Sequence, residues 1–265
     1  MSFKLLWSKI LITMRYAASS LLELIYPEAC VFCGAESGET SWSSTGSFVA
    51  GLSWSDGPHL CDRCWARLVS KPVRGQLPDS GTPVIGARAT GPDLVTVIKH
   101  WKYHGVRGLA WPLAELLRPA LEEATRYHGA VDIIVPIPLH KHRLRARGFN
   151  QAQMLAELAG NTETQVRLNL LRRKRSTGQQ AKLSLERERR RNMLGAYLAQ
   201  GPSDQEVGRR IGLVDDLVTG GMTCEAAVSA LQGAGWQVAW VVCLGLANTK
   251  LGNKEGQVDS SAAEI

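Results

Sequence analysis

The sequence holds no run of about twenty uninterrupted apolar residues, the length a helix needs to cross a bilayer, and this argues against a membrane span. The N-terminal segment comes nearest, with Leu5, Leu6, Ile10, Leu11 and Ile12. Lys9 interrupts that run, Arg15 follows it, and no small-residue cleavage site ends it, so residues 1–29 read as an amphipathic docking helix. Acids are in deficit: 24 Asp and Glu stand against 31 Lys and Arg, a net charge of +7. Much of the excess lies in Arg172 to Arg175 and Arg187 to Arg191. These clusters suit anionic partners, a polyphosphate or nucleic acid, or else form solvated faces. Nothing in the composition denotes disorder throughout, and 265 residues suffice for one core domain and a small module.

Cysteine is unevenly placed. Of the six, four form Cys30-Val-Phe-Cys33 and Cys61-Asp-Arg-Cys64. Two such knuckles supply four thiolates, the set for a tetrahedral structural Zn²⁺ site; disulfides are the alternative. Four protein ligands leave no open position on the ion, so the metal would fold a segment too small for its own core. The Ser/Gly/Trp-rich insert from Ser37 to Gly57, with Trp42 and Trp54, reads as a covering loop, and His59 as a bystander. Cys224 falls near an expected helix start, where its pKa would be lowered, and is either a nucleophile or packing. Cys243, in the apolar run Val238 to Leu246, reads as core.

Pro72, Gly75, Pro78, Gly81 and Pro83 mark a linker over 71–83, between a metal module at 30–70 and a main domain at 84–247. A strand is expected over Val84 to Ala89, then a helix closing at Gly105, then a helix carrying Leu109, Leu113, Leu116, Leu117 and Leu121. Lys102 and Tyr103 are read equally as solvated or as ligand contacts. Val131 to Pro138 is a buried strand that its prolines stop. Beyond it, Pro138 and Leu139 lead into His140, Lys141, His142, Arg143, Arg145 and Arg147, a cationic loop suited to pyrophosphate, before Asn150 opens a helix to Ala159. His140 and His142 are acid–base groups or charge-complementing ones. The segment from Leu170 to Tyr197 reads as a flap followed by a short helix, and residues 248–265 as a disordered tail.

The stretch Arg210 to Thr223 organises the rest. Ile211 to Val214 suits a buried parallel strand that ends at Asp215 and Asp216; Thr219, Gly220, Gly221, Met222 and Thr223 then precede an expected helix. Glycines admit a close ligand, amides point outward, and the helix adds its positive end, as in a phosphate cradle. An ordinary strand–loop–helix turn is the plainer alternative. The two cationic and acidic loops would converge at the carboxyl edge of one sheet.

Here the chain resembles the type I phosphoribosyltransferases, whose signature is a hydrophobic strand, two acids, two variable residues and Thr-Thr-Gly-x-Thr. The resemblance implies that Asp215 and Asp216 hold the ribose hydroxyls of phosphoribosyl pyrophosphate and that Thr219 to Thr223 bind its 5′-phosphate. Gly220 departs from the pattern, keeping an amide but losing a hydroxyl donor. Two Cys-x-x-Cys knuckles, Lys-x-x-Lys-Tyr, Val-Pro-Ile-Pro-Leu-His, Arg-Gly-Phe-Asn-Gln and the Asp-Asp loop, in this order, resemble the ComF family, including GntX-like proteins, from about Leu21 to Ala247. The implied fold is α/β: a type I phosphoribosyltransferase-like parallel sheet with flanking helices, plus a small N-terminal zinc ribbon. The resemblance also implies Mg²⁺ bound with the substrate, a flexible loop contributing Arg175, Thr177 and Gln180, and Arg189 with Asn192 as the later Arg-x-x-Asn. It further implies cytoplasmic work linked to competence, with single-stranded DNA and a competence helicase as partners. The other reading is a non-catalytic nucleic-acid or helicase-binding module; the oligomeric state stays open.

Overall fold

Apolar runs buried on both faces form the middle of a sheet. The computed structural model of the chain describes residues 30–35, 60–104, 106–160, 164–174 and 195–247. These divide between two units, one within 1–68 and 96–109, the other within 69–95 and 110–265.

In the larger unit the strands β1 (Val73–Gln76), β2 (Pro83–Ala89), β3 (Ile133–Pro136), β4 (Gln165–Val166), β7 (Arg210–Val218) and β8 (Gln237–Leu246) build a six-stranded sheet of order β1-β2-β8-β7-β3-β4. Only β1 is antiparallel to its neighbour; the other pairings are parallel. Between β4 and β7, β5 (Leu171–Arg173) and β6 (Tyr197–Ala199) form a separate antiparallel pair.

Helices cover both faces. On one, α3 (Ala110–His128) lies over β2 and β8, and α5 (Gln151–Ala159) over β3 and β7. Leu113, Ala114, Leu117, Ala120 and Ala124 of α3 recur at helical spacing and are buried. Arg118 joins the two helices, its Nη2 donating to the Leu158 carbonyl at 2.8 Å. On the other face α6 (Met222–Gly233) packs on β7 and β8 beside β5 and β6. Gly212 has a steric reason: a Cβ there would run into the Trp240 ring, whose Nε1 donates to the Gly129 carbonyl at 3.1 Å.

The smaller unit contains the four paired cysteines, α1 (Asp62–Leu68) and the later part of α2 (Pro92–Tyr103). Leu60, Leu68, Trp101 and Leu109 are buried there.

The stretch expected as a linker, 71–83, contains strand β1. Its glycines and prolines mark a hairpin: the Leu77 amide donates to the Thr82 carbonyl at 2.9 Å, and Gly81 takes φ 66°. Residues 1–29, the 37–57 insert with Trp42 and Trp54, His59 and the tail 248–265 lie outside the described residues.

Candidate functional site

The chain leaves β3 through α4 (Lys141–Arg147) and α5 toward β4 at one edge, and leaves β7 through α6 toward β8 on the other side. The carboxyl ends of β3 and β7 therefore form a topological switch point, where open α/β sheets bind ligands. Both candidate loops follow these two strands.

The expectation that β7 stops at the acid pair needs correction: the strand runs on to Val218. Its ladder to β3 ends at Val214, where the Pro136 pairing and the Ile137 amide give out, and Pro138 has no N–H to extend it. Its ladder to β8 continues through Asp215, opposite Cys243, to Val218, opposite Leu246. The two carboxylates thus sit in regular strand geometry on a segment laddered along one flank. Asp215 is half-buried and accepts the Asp216 amide on Oδ1 at 2.8 Å, while Asp216 is buried.

Thr219 and Gly220 follow, both exposed, and Gly221 caps α6 in the left-handed region at φ 73° with no side-chain cap. First-turn amides of a helix have no intrahelical acceptor, so an uncapped start leaves donors for an anion beside half-buried Met222 and Thr223. Glu225, in the first turn, turns away from this opening: its carboxylate accepts the Asp79 amide at 2.6 Å and the Ser80 amide at 3.1 and 3.2 Å. The expected lowering of the Cys224 pKa is wrong in sign. Cys224 is fully buried, and that burial, followed by the charge of Asp215, raises its pKa; desolvation outweighs the helix start, and the thiol is packing.

The cationic stretch after Pro138 and Leu139 is a helix where a loop was expected. α4 buries no residue, and its ends account for it: His140 is the N-cap, with Nδ1 accepting the His142 amide at 3.4 Å, and Gly148 closes it at φ 76°. Lys141, His142, Arg143 and Arg145 are exposed and Arg147 half-buried. His140 is 7% exposed, and desolvation, then the positive fields of His142, Arg173, Lys141 and Arg143, lower its pKa. The Arg-Gly-Phe-Asn-Gln motif is the corner that follows. Phe149 is buried, Asn150 Nδ2 donates to the Ile137 carbonyl at 3.1 Å, and Asn150 Oδ1 accepts the Ala152 amide at 3.2 Å. Both ends of the Asn150 amide are engaged in shaping the loop.

Tyr197, which nothing in the sequence singled out, is 3% exposed at the start of β6. Burial raises its pKa, with Arg173, Asp215, Cys224 and Arg143 contributing to its field, so the phenol is neutral. The Arg173 guanidinium lies 5.5 Å from the ring centroid. Tyr197 senses Arg143 and Asp215 together, and His140 senses Arg173; the ends of β3 and β7 and the β5–β6 pair are therefore electrostatic neighbours. Lys102 and Tyr103 end α2 in the smaller unit, half-buried and exposed respectively. Arg175, Thr177, Gln180, Arg189 and Asn192 lie outside the described residues.

In the smaller unit the sulfurs of Cys30, Cys33, Cys61 and Cys64 all lie within 4.8 Å of one another, with Cys33 and Cys61 at 3.6 Å. Zn–S bonds near 2.3 Å put tetrahedral sulfurs about 3.8 Å apart, so this donor set can hold a structural metal. Burial opposes charge on Cys30, but donation from the Cys61, Cys33 and Phe32 amides brings its pKa down to about 7. Burial and then the neighbouring thiols push that of Cys64 up. The fold itself favours a thiolate at Cys30, whereas Cys64 would take its charge from a bound cation.

No family model matches the chain. It is 32% identical over 133 residues to Competence protein F of Haemophilus influenzae, covering 49% of this chain and 58% of that protein. It is 32% identical over 157 residues to DNA utilization protein YhgH of Escherichia coli, covering 57% of this chain and 67% of that one. To Competence protein ComFC of Bacillus subtilis it is 31% identical over 99 residues, 37% of this chain and 38% of that protein. Among solved structures, UMP synthase of Leishmania donovani has a TM-score of 0.31 at 18% identity, covering 68% of this chain and 30% of that one. Orotate phosphoribosyltransferase of Aeropyrum pernix has a TM-score of 0.29 at 14% identity, covering 67% of this chain and 76% of that one.

Proposed function

Because the chain belongs to the ComF/GntX family, we propose that it binds phosphoribosyl pyrophosphate at the β3–β7 switch point and transfers the phosphoribosyl group to a nitrogen nucleophile. The observation that carries this reading is an acid pair on β7, just past its last pairing with β3, followed at once by an uncapped helix start. Asp215 and Asp216 would hold the ribose hydroxyls and stand near the positive charge that develops on the ring. Mg²⁺, held mainly by oxygens of the substrate itself, would neutralise charge on the departing pyrophosphate. The amides of Gly220 to Thr223 and the Thr219 and Thr223 hydroxyls would bind the 5′-phosphate. Pro138, Leu139, His140, Lys141 and Arg147 would line the leaving-group side, with Asn150 shaping their loop. Since His140 Nδ1 accepts a hydrogen bond, its neutral ring carries the proton on Nε2, a donor to an anion. Arg175 and Gln180 complete the proposed set. The metal of the cysteine cluster is proposed to be zinc, in a structural role.

The relatives' printed names, competence and DNA utilization, support a role in handling transforming DNA; a cytoplasmic location, with single-stranded DNA and a helicase as partners, is part of the same proposal. A second reading, a module without catalysis that binds nucleic acid or a helicase, is favoured by Gly220, which removes one hydroxyl from the proposed phosphate loop. Calorimetric titration with phosphoribosyl pyrophosphate and Mg²⁺ tests the substrate site. Heat from the native protein that disappears in Asp216→Ala is expected; silence from the native protein would leave the binding module alone standing.

A further inference from the structure

Gln151, the last residue of the Arg-Gly-Phe-Asn-Gln motif, has no part in the function proposed above, yet its environment is unusual. It is 1% exposed at the first position of α5. Its Oε1 accepts from Arg147 Nη1 at 3.1 Å. That bond fixes the orientation of the carboxamide, and the Nε2 on its other side is buried with no hydrogen-bond partner. An orphaned buried donor is unfavourable and calls for an explanation. A glutamate of the same shape would accept from Arg147 with either oxygen, carry no orphaned donor and add ionic attraction. For the sole purpose of bracing Arg147, a carboxylate whose desolvation the guanidinium offsets would also serve. What glutamine provides instead is an acceptor without charge.

We infer that Gln151 is a positioning residue: a neutral brace that fixes the Arg147 guanidinium at the end of α4 for an anionic ligand without cancelling its charge. The inference rests on the phosphoribosyl pyrophosphate reading and assigns a device to its leaving-group side. The ligand chemistry concerned is the pyrophosphate group, whether free or attached to the sugar. Near a half-buried guanidinium a permanent carboxylate competes with the incoming anion for the same charge, and a local dielectric below that of water magnifies that competition.

The experiment titrates native protein, Gln151→Glu and Gln151→Met with phosphoribosyl pyrophosphate plus Mg²⁺, and separately with inorganic pyrophosphate plus Mg²⁺. Thermal melts of the unliganded proteins are recorded alongside. Gln151→Glu is expected to melt at or above the native temperature yet bind both ligands about tenfold or more weakly. Gln151→Met, which loses the brace but adds no charge, should fall between the two in affinity. A merely structural glutamine predicts the opposite for the charged variant: stability kept and affinity kept. Native-like affinity in Gln151→Glu therefore overturns the proposal, and the substrate site survives provided the native heat is still lost in Asp216→Ala. Should Gln151→Glu melt lower, affinities are compared at a temperature where every variant is folded, and equal affinity there overturns the proposal as well. A native protein that binds neither ligand removes this inference together with the reading beneath it.

Discussion

Gly220→Thr puts back the hydroxyl that the proposed phosphate loop lacks, and the structure says the change is tolerated. A Cβ at position 220 meets nothing within 4 Å, the residue is exposed, and it is not among the glycines with positive φ. Neither steric overlap nor backbone strain opposes the threonine. A hydroxyl donating to an ionised phosphate contributes about 1.5–3 kcal/mol. Ordering the side chain on binding takes back roughly 0.5–1 kcal/mol. The net of about 1–2 kcal/mol corresponds to a 5- to 30-fold lower Kd for phosphoribosyl pyrophosphate. Unliganded stability should hold or rise by a few tenths of a kcal/mol, roughly as when other compatible glycines are replaced. Calorimetry with Mg²⁺ present gives the affinity, and a thermal melt gives the stability. Gly221→Ala is the internal contrast. At φ 73° it should lose about 1–2 kcal/mol of stability and distort the helix start, weakening binding. An unchanged Kd in Gly220→Thr with an unchanged melt would refute the placement of a phosphate at this loop, since a hydroxyl would then stand in the expected position without meeting an anion.

Glu225→Ala leaves two amides of the 79–80 turn without their carboxylate and should lower stability by about 2–3 kcal/mol, a fall in Tm of roughly 4–12 °C; an unmoved melt would show the clasp to be dispensable. Protein purified without chelator is expected to carry about one zinc per chain, lost in Cys61→Ser with a lower melt; metal analysis showing none, alongside four reactive thiols, would remove the metal site. His140 has a pKa lowered in the fold relative to 6.5, so the unfolded chain binds more protons between that lowered value and 6.5. Stability is therefore complete above about pH 6.5 and declines as pH falls through the window below it, with His128 contributing in the same direction. Asn at position 140 keeps a capping acceptor but cannot titrate, so His140→Asn should flatten the slope of Tm against pH there; an unaltered slope refutes the assignment.

The sequence makes the centre of the fold legible because buried parallel strands show as continuous apolar runs: 133–136, 211–214 and 238–246 all lie in strands of the sheet. It misleads where polar residues sit in regular structure. Asp215 and Asp216 look like a strand's end, yet β8 holds β7 in register through both, because a carboxylate on a flank without β3 has room to leave the sheet plane. α4 looks like a loop because it has no apolar stripe, and its existence depends on a histidine cap at one end and a left-handed glycine at the other. The hairpin at 73–89 was hidden by the prolines and glycines that make its turn.

The residues missed altogether share one property, dependence on partners distant in sequence. Glu225 meets amides 145 and 146 positions away, and Tyr197 is defined by burial beneath charges from β5, β7 and α4. Cys224 shows the same dependence in the energetics. A helix start stabilises a thiolate by at most about 2 kcal/mol, whereas complete burial of an ion opposes it by several. Local pattern predicts the first term, and only the packed core supplies the second. Sequence reading is thus most reliable for groups that remain at the surface of the sheet's carboxyl edge, where Thr219 and Gly220 are exposed and the local dipole acts without competition. The same asymmetry explains why the glycine turn at the start of α6 could be read from a few residues while the support for Arg147 could not. A loop's amides are set by its own glycines, but a guanidinium is placed by whichever buried side chain reaches it, and for Arg147 that is Gln151, the first residue of the next helix.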